Sequence, residues 1–138
     1  MATRTVYAEV TPTDTDVAVF LCDHLADINV WNLPVKMWVA RQDGAIVALM
    51  MLHSRPAVYL DLILAHPEQR PFMRILRLWQ MAQRWLDALG VPLVCVTIRN
   101  ELVHYQSLVR RVGFEPVGVQ CDANGTEVET IYGRRLAA

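Results

Sequence analysis

Much of what would announce a chemistry is missing from this 138-residue chain. Only three cysteines occur, Cys22, Cys95 and Cys121, with no CxxC pair and no Cys/His ligand spacing, which argues against a zinc site. Their odd count, and the apolar settings of Cys22 and Cys95, predict reduced core thiols in a cytoplasmic protein. There is no Gly-x-Ser-x-Gly elbow, no Walker loop and no Gly-x-Gly-x-x-Gly. An elbow-type Ser-His-Asp hydrolase and the glycine-loop nucleotide folds therefore drop out. No apolar run reaches the ~18 residues of a membrane span. The opening MATRTVYAEVTPTD lacks the apolar stretch of a signal peptide.

Lysine is almost absent: Lys36 stands alone among thirteen basic residues. The formal net charge is −1 and the pI about 6.4, so nothing draws the whole chain to nucleic acid or to an anionic membrane. The arginines are unevenly placed, however. Arg70, Arg74, Arg77 and Arg84 fall close together and predict a local basic patch. With 54% hydrophobic and 20% charged residues, the chain reads as one globular domain over residues 1–138, without repeats, linkers or low-complexity segments. A mean hydropathy of +0.23 fits either a full core or a buried interface, which leaves a homodimer through the last hairpin, or another assembly partner, open.

Periodicity orders the elements. Thr5 to Val10 alternates as a strand, and Thr11-Pro12-Thr13-Asp14 offers helix-start chemistry before a helix near Asp14–Ala26. Ile28–Asn32 is ambiguous, with a further helix one reading, and Pro34 ends it. Val35–Arg41 and Ala45–His53 flank Asp43-Gly44, a strong hairpin signal. Ala57–Ala65 reads as a central strand covered on both faces. A long helix then starts at Pro71, with Ile75, Leu78, Trp79, Ala82, Trp85, Leu86 and Leu89 as its buried stripe and Gly90 as its stop. Trp31 and Trp38 join the helix tryptophans as core residues. Pro92–Ile98 is the next strand. Asn100 is placed to cap a helix bearing Leu102, Tyr105, Leu108, Val109 and Val112, closed by Gly113. Phe114–Cys121 and Glu127–Tyr132 form a last hairpin, whose Asn124-Gly125 favours a type I′ turn. Strand hairpins at both ends with helices packed on them make the fold class α+β.

The stretch Val58–Leu89 holds the functional signal. Its loop, His66-Pro67-Glu68-Gln69-Arg70, faces the start of the long helix. Unpaired N–H groups and partial positive charge gather at such a start and suit an anion. Asp61 interrupts an apolar strand, where a charge is costly unless paired or wet. It is either a base or a structural acid paired with Arg55 or another nearby cation. His53, His66 and His104 are isolated histidines, each a base candidate or simply a packed or surface side chain.

This order of elements, with Pro67-Glu68-Gln69-Arg70 between strand and helix, Asn100 before the next helix, and Gly113-Phe114 after it, resembles the GNAT superfamily of acetyl-CoA-dependent N-acetyltransferases. The chain also looks similar to small divergent members found in phage genomes. The resemblance implies a mixed, mainly antiparallel sheet with helices on both faces and splayed central strands. It implies an acetyl-CoA site in which the backbone of Leu62, Ile63 and Leu64 holds pantetheine, Arg70 and Arg74 hold the phosphates, and Asn100 opens the helix beside them. Asp61 would take the amine proton. The general acid of many members is a Tyr five residues before the Gly-Phe phenylalanine. That place is Val109 here, and Tyr105, one turn earlier, is the candidate substitute; otherwise its ring packs in the core with the hydroxyl at the rim. The acceptor would be an amine on a small molecule or a protein. The family's Arg/Gln-x-x-Gly-x-Gly/Ala loop is replaced around Arg70 by Pro71, Met73 and Ile75. The alternative is therefore a catalytically inactive binding or assembly protein on the same fold, for example a phage structural component.

Overall fold

A computed structural model describes residues 4–24, 36–54, 58–64 and 72–136. Within them the elements are β1 (Thr5–Val10), α1 (Thr15–Asp23), β2 (Lys36–Gln42), β3 (Ala45–Ser54), β4 (Val58–Leu64), α2 (Phe72–Leu89), β5 (Leu93–Arg99), α3 (Val103–Arg111), β6 (Glu115–Cys121) and β7 (Glu127–Arg135). The strands form one seven-stranded sheet in the order β1-β2-β3-β4-β5-β7-β6. Only β4 and β5 run parallel among these neighbours.

The parallel pair is also the weak seam of the sheet. β3 and β4 stay in register from Ser54↔Val58 to Ala48↔Leu64. β4 meets β5 only at Val58↔Val94 and Tyr59↔Cys95. Beyond Tyr59, five residues of β4 leave an edge of roughly 16 Å, at ~3.3 Å per residue, that no longer pairs with β5. The splay expected for the central strands is present.

Strand alternation sorts side chains into two cores. Met37, Val39, Leu49 and Met51 point to one face and bury Val17 and Phe20 of α1. Trp38, Ala40, Met50, Leu52, Leu60, Val94, Val96 and Ile98 point to the other and pack under α2 and α3. On α2, Ile75, Leu78, Trp79, Ala82 and Leu86 are buried, while Arg77, Gln80, Arg84 and Asp87 are exposed. Trp79 meets Phe114 edge-on at a centroid distance of 5.1 Å, which seats the end of α3 against α2. Arg134 donates from Nη1 to the Val112 carbonyl at 2.6 Å, answering an orphan acceptor at the α3 C-terminus.

Several sequence expectations need correction. Leu89 is 60% exposed rather than part of the α2 stripe, since the stripe ends one turn before Gly90 closes the helix at φ +70. Cys22 is exposed; Cys95 alone of the three thiols is buried. Asn100 does not cap α3, whose N-cap is Leu102 without a side-chain cap bond. Asn100 is instead absorbed into the β5–β7 ladder: its N–H donates to the Val128 carbonyl at 2.9 Å. Its Oδ1 accepts from Thr130 at 2.7 Å, and its Nδ2 donates to the Glu127 carbonyl at 3.2 Å.

The two hairpins also differ. Asp43 (φ +52) and Gly44 (φ +80) are both left-handed, as a type I′ turn requires. At the second hairpin only Gly125 has positive φ, so the turn is not type I′. Gly125 N–H bonds to the Asp122 carbonyl, and the Asp122 carboxylate accepts from the Asn124 and Thr126 amides. That side chain stabilises Asn124 in an ordinary negative-φ conformation. The possible helix at Ile28–Asn32, Trp31, Pro34, Arg55, the loop from His66 to Arg70, and Pro71 lie outside the described residues.

Candidate active site

Where β4 leaves β5, a cavity of about 440 Å³ opens between the two strands and the helices α2 and α3. The register of the strands decides what each of its sides carries. Leu60 and Leu62 of β4, with Val96 and Ile98 of β5, point toward α2 and α3. Asp61 of β4 and Thr97 and Arg99 of β5 have the opposite parity, as does Glu129, which stands directly across from Arg99 on β7. The cavity is therefore polar on the face where α1 lies and apolar toward α2 and α3.

Both predicted catalytic residues, Asp61 and Tyr105, line this cavity, and Leu62 does as well. Tyr105 comes from the first turn of α3 and is half-buried. The start of that helix is fixed by Gln106, which accepts the Tyr132 hydroxyl proton at Oε1 (2.7 Å) and donates to the Arg99 and Asn100 carbonyls (3.2 Å each). Arg74 sits half-buried in the first turn of α2 and Asn100 is placed in the β5–β7 ladder; neither belongs to the cavity wall. The backbone of Ile63 and Leu64 pairs with Leu49 and Ala48 on the β3 side of β4. Arg70, like His66 to Gln69 before it and Pro71 after it, lies outside the described residues.

Sequence reasoning did not join His53 to Asp61. His53 is on β3, 1% exposed, and its Nε2 hydrogen-bonds to Asp61 Oδ2 across the strand pair. A carboxylate only accepts, so Nε2 is the donor and one Asp61 oxygen is left for another partner. The signal was available: a short connection between β3 and β4 fixes their register, and in that register His53 and Asp61 fall diagonally on one face. Thr97, Arg99 and Glu129 were missed for the same reason, since their meeting at the cavity depends on which residues face each other across β5 and β7.

One polar atom of the apolar wall is unanswered. Trp79 lines the cavity, and its buried Nε1–H finds no acceptor among the described residues. An orphan donor of this kind costs about 1–3 kcal/mol. The chemistry left open by the protein groups is an unpaired strand edge, an anchored carboxylate and a phenol around one cavity. No cluster of His, Cys, Asp and Glu fit to hold a metal exists among the described residues. Among them no helix is long and apolar enough to cross a membrane.

No family model matches the sequence, and no curated protein matches it. The fold is nonetheless a GNAT-like α+β fold, and solved acetyltransferases share it over nearly their whole length. An acetyltransferase of the GNAT family from Streptococcus pneumoniae superposes with a TM-score of 0.73 at 13% identity, over 97% of this chain and 100% of that one. An IAA acetyltransferase from Bacillus cereus gives 0.73 at 16% identity, over 96% and 100%. Arabidopsis thaliana NAA60, in complex with acetyl-CoA, gives 0.71 at 12% identity, over 96% and 99%. At such identities the likeness is one of fold.

Proposed function

We propose that this protein is an acyl-CoA-dependent N-acyltransferase that passes an acetyl-type group to an amine of a small molecule or a protein. The observation that carries the reading is the opened β4–β5 seam, with Asp61 and Tyr105 on the wall of one cavity. The unpaired edge of β4 suits the pantetheine arm, which hydrogen-bonds as an added strand would. The described residues fit that arm. Arg70 and Arg74 remain the proposed phosphate contacts and Leu62, Ile63 and Leu64 the proposed pantetheine contacts.

In the proposed reaction the amine nitrogen attacks the thioester carbon. A C–N bond forms and the C–S bond breaks. Asp61 accepts the proton that leaves the amine, directly or through one water, as a positioned general base does. His53 holds the carboxylate in place during that transfer. The Tyr105 hydroxyl donates a proton to the departing sulfur, so that a free thiol leaves, and the phenol regains its proton from solvent.

Calorimetric titration with acetyl-CoA tests the reading. Saturable binding, weakened by Arg70→Ala, supports it; no heat of binding at millimolar acetyl-CoA overturns it. A second reading draws support from Val109, which stands in the cavity wall where many GNAT enzymes carry their acid tyrosine. In it the fold binds an acyl-CoA or a protein partner without turnover. Release of free thiol in the presence of a panel of amines separates the two.

A further inference from the structure

We propose that the acceptor at this site is a free α,ω-diamino acid of the lysine type, acylated on its side-chain amine, with Arg99 and Glu129 reading its carboxylate and its α-ammonium. The proposal rests on the acyltransferase reading above and names the acceptor class for it.

Arg99 of β5 and Glu129 of β7 stand directly opposite one another. Opposite charges so placed ordinarily attract across an antiparallel ladder. Here no ion pair joins them, and neither has an oppositely charged partner among the described residues. Both instead line the cavity, on the face that carries Asp61 and Thr97. That face is the open one. Arg99 is exposed, and Asp61, Thr97 and Glu129 are each partly exposed, so an acceptor reaches them without displacing a core side chain. Spacing along the strands then selects the acceptor. Continued past Tyr59↔Cys95, the parallel register sets Asp61 beside Thr97. Arg99 lies two residues further along β5, roughly 7 Å away at ~3.3 Å per residue, and the opening of the seam lengthens the gap. An α-amine and its carboxylate share one carbon and do not span it. An amine at the end of a short alkyl side chain does. With that amine at Asp61, the carboxylate at the far end meets the Arg99 guanidinium, whose planar fork suits two oxygens, and the α-ammonium meets Glu129. The charges complement one another: two ligand cations and one anion face Asp61, Glu129 and Arg99. A lysine within a polypeptide offers neither free end group. In the transfer the side-chain nitrogen attacks the thioester carbon, and the C–N bond forms as the C–S bond breaks. Asp61 receives the amine proton, and the sulfur leaves as a thiol with its proton from Tyr105.

Thiol release from acetyl-CoA, measured with lysine, cadaverine and ε-aminocaproate, tests this and needs no variant. Cadaverine lacks the carboxylate and ε-aminocaproate lacks the α-amine. Each should show kcat/KM about tenfold below lysine, the factor of one modest charge-assisted hydrogen bond at an open site. Two variants then locate the readers. Arg99→Gln should raise KM about tenfold for lysine and ε-aminocaproate and leave that of cadaverine unchanged. Glu129→Gln should raise it by a similar factor for lysine and cadaverine and leave that of ε-aminocaproate unchanged. In both, kcat should move little, since neither residue touches the reacting atoms. A merely structural role would move all three amines together. Equal kcat/KM for the three amines, KM shifts blind to the ligand, or a capped lysyl peptide preferred to free lysine overturn the diamino acid proposal and spare the acyltransferase reading. So does thiol release with other amines but not with lysine. No heat of binding with acetyl-CoA and no thiol release with any amine overturn both.

Discussion

His53 and Asp61 form a hydrogen bond between adjacent strands in which the histidine is buried and the carboxylate is 41% exposed at its side chain. The asymmetry matters. The imidazole is fixed by the strands around it, so it holds the carboxylate in one orientation at the edge of the cavity. A free Asp on an open strand edge would sample several rotamers, and a base must sit within hydrogen-bond reach of its proton.

This relationship predicts a non-additive pair of substitutions. Asp61→Asn keeps the shape and the His53 contact, and should lower kcat by ~10²–10⁴-fold, the usual contribution of a general base, with acyl-CoA Kd nearly unchanged. His53→Gln keeps a donor and should lower kcat by less, His53→Ala by more. In the Asp61→Asn background neither His53 substitution should lower kcat further, because the histidine acts only through the carboxylate. Steady-state kinetics on the single and double variants measures this. Additive losses would assign His53 a separate role in the fold.

A second pair controls acid stability. Arg41 donates from Nε and Nη2 to the two carboxylate oxygens of Asp16 at 2.9 and 3.0 Å, joining α1 to β2. The side-chain hydrogen bond from Arg41 is the main cause of a lowered Asp16 pKa, below its ordinary 3.8. A lowered folded-state pKa means stability that is present above 3.8 and is lost as pH falls through the folded value. The Asp16 carboxylate is 46% exposed, so solvent screening limits the pair to the ~0.2–1 kcal/mol of exposed ion pairs. Asp16→Asn should lower the urea midpoint at pH 7 by that small amount. The difference from the parent should shrink on acidification below pH 3.8 and vanish once the pH has fallen past the lower folded-state value. A gap that persists in acid would mean that shape, and not charge, holds α1 to β2.

What the sequence disclosed depended on the distance over which the signal acts. The helical stripe of α2, the alternation of β1 and the Asp43-Gly44 hairpin are local patterns, and all three were readable. The α3 start was misread because Asn100, a good capping residue by type, is claimed by Thr130 and Glu127 from a distant strand. The same limit applied to the site. Asp61 stood out as a charge in an apolar strand, and Tyr105 only through the resemblance, as the substitute one turn before Val109. The partner His53 and the opposing Glu129 became visible only once strand register set which side chains face one another. Leu89 was lost for a simpler reason: a helix face continues past the end of the surface it covers.

Thiol reactivity separates buried from surface cysteines without any assumption about function. Burial pushes the Cys95 thiol pKa above its ordinary 9.0, and Cys95 lies within the sheet while Cys22 and Cys121 are exposed. The thiolate is the reactive form. In the folded protein near pH 8, iodoacetamide should modify Cys22 and Cys121 readily and Cys95 at least tenfold more slowly, with all three equal in denaturant. Peptide mass mapping over time reads this directly. Fast labelling of Cys95 in the native state would show that β5 opens far more often than a core strand should.

The acid side of the proposed reaction rests on Tyr105, and its neighbour on the helix supplies the test. Tyr105 and Val109 are one turn apart and both reach the cavity. If the phenol protonates the departing sulfur, Tyr105→Phe should lower kcat by roughly a hundred- to a thousandfold, within the lower part of the range for a positioned acid, with little change in donor Kd. The ring is kept, so packing against the core changes little. Val109→Tyr in the Tyr105→Phe background puts a hydroxyl back one turn along the same face and should recover part of the loss. Recovery would show that the hydroxyl supplies the proton and that its position tolerates one helical turn. If Tyr105→Phe retains full kcat, the sulfur takes its proton from water and Tyr105 serves only as a wall of the cavity.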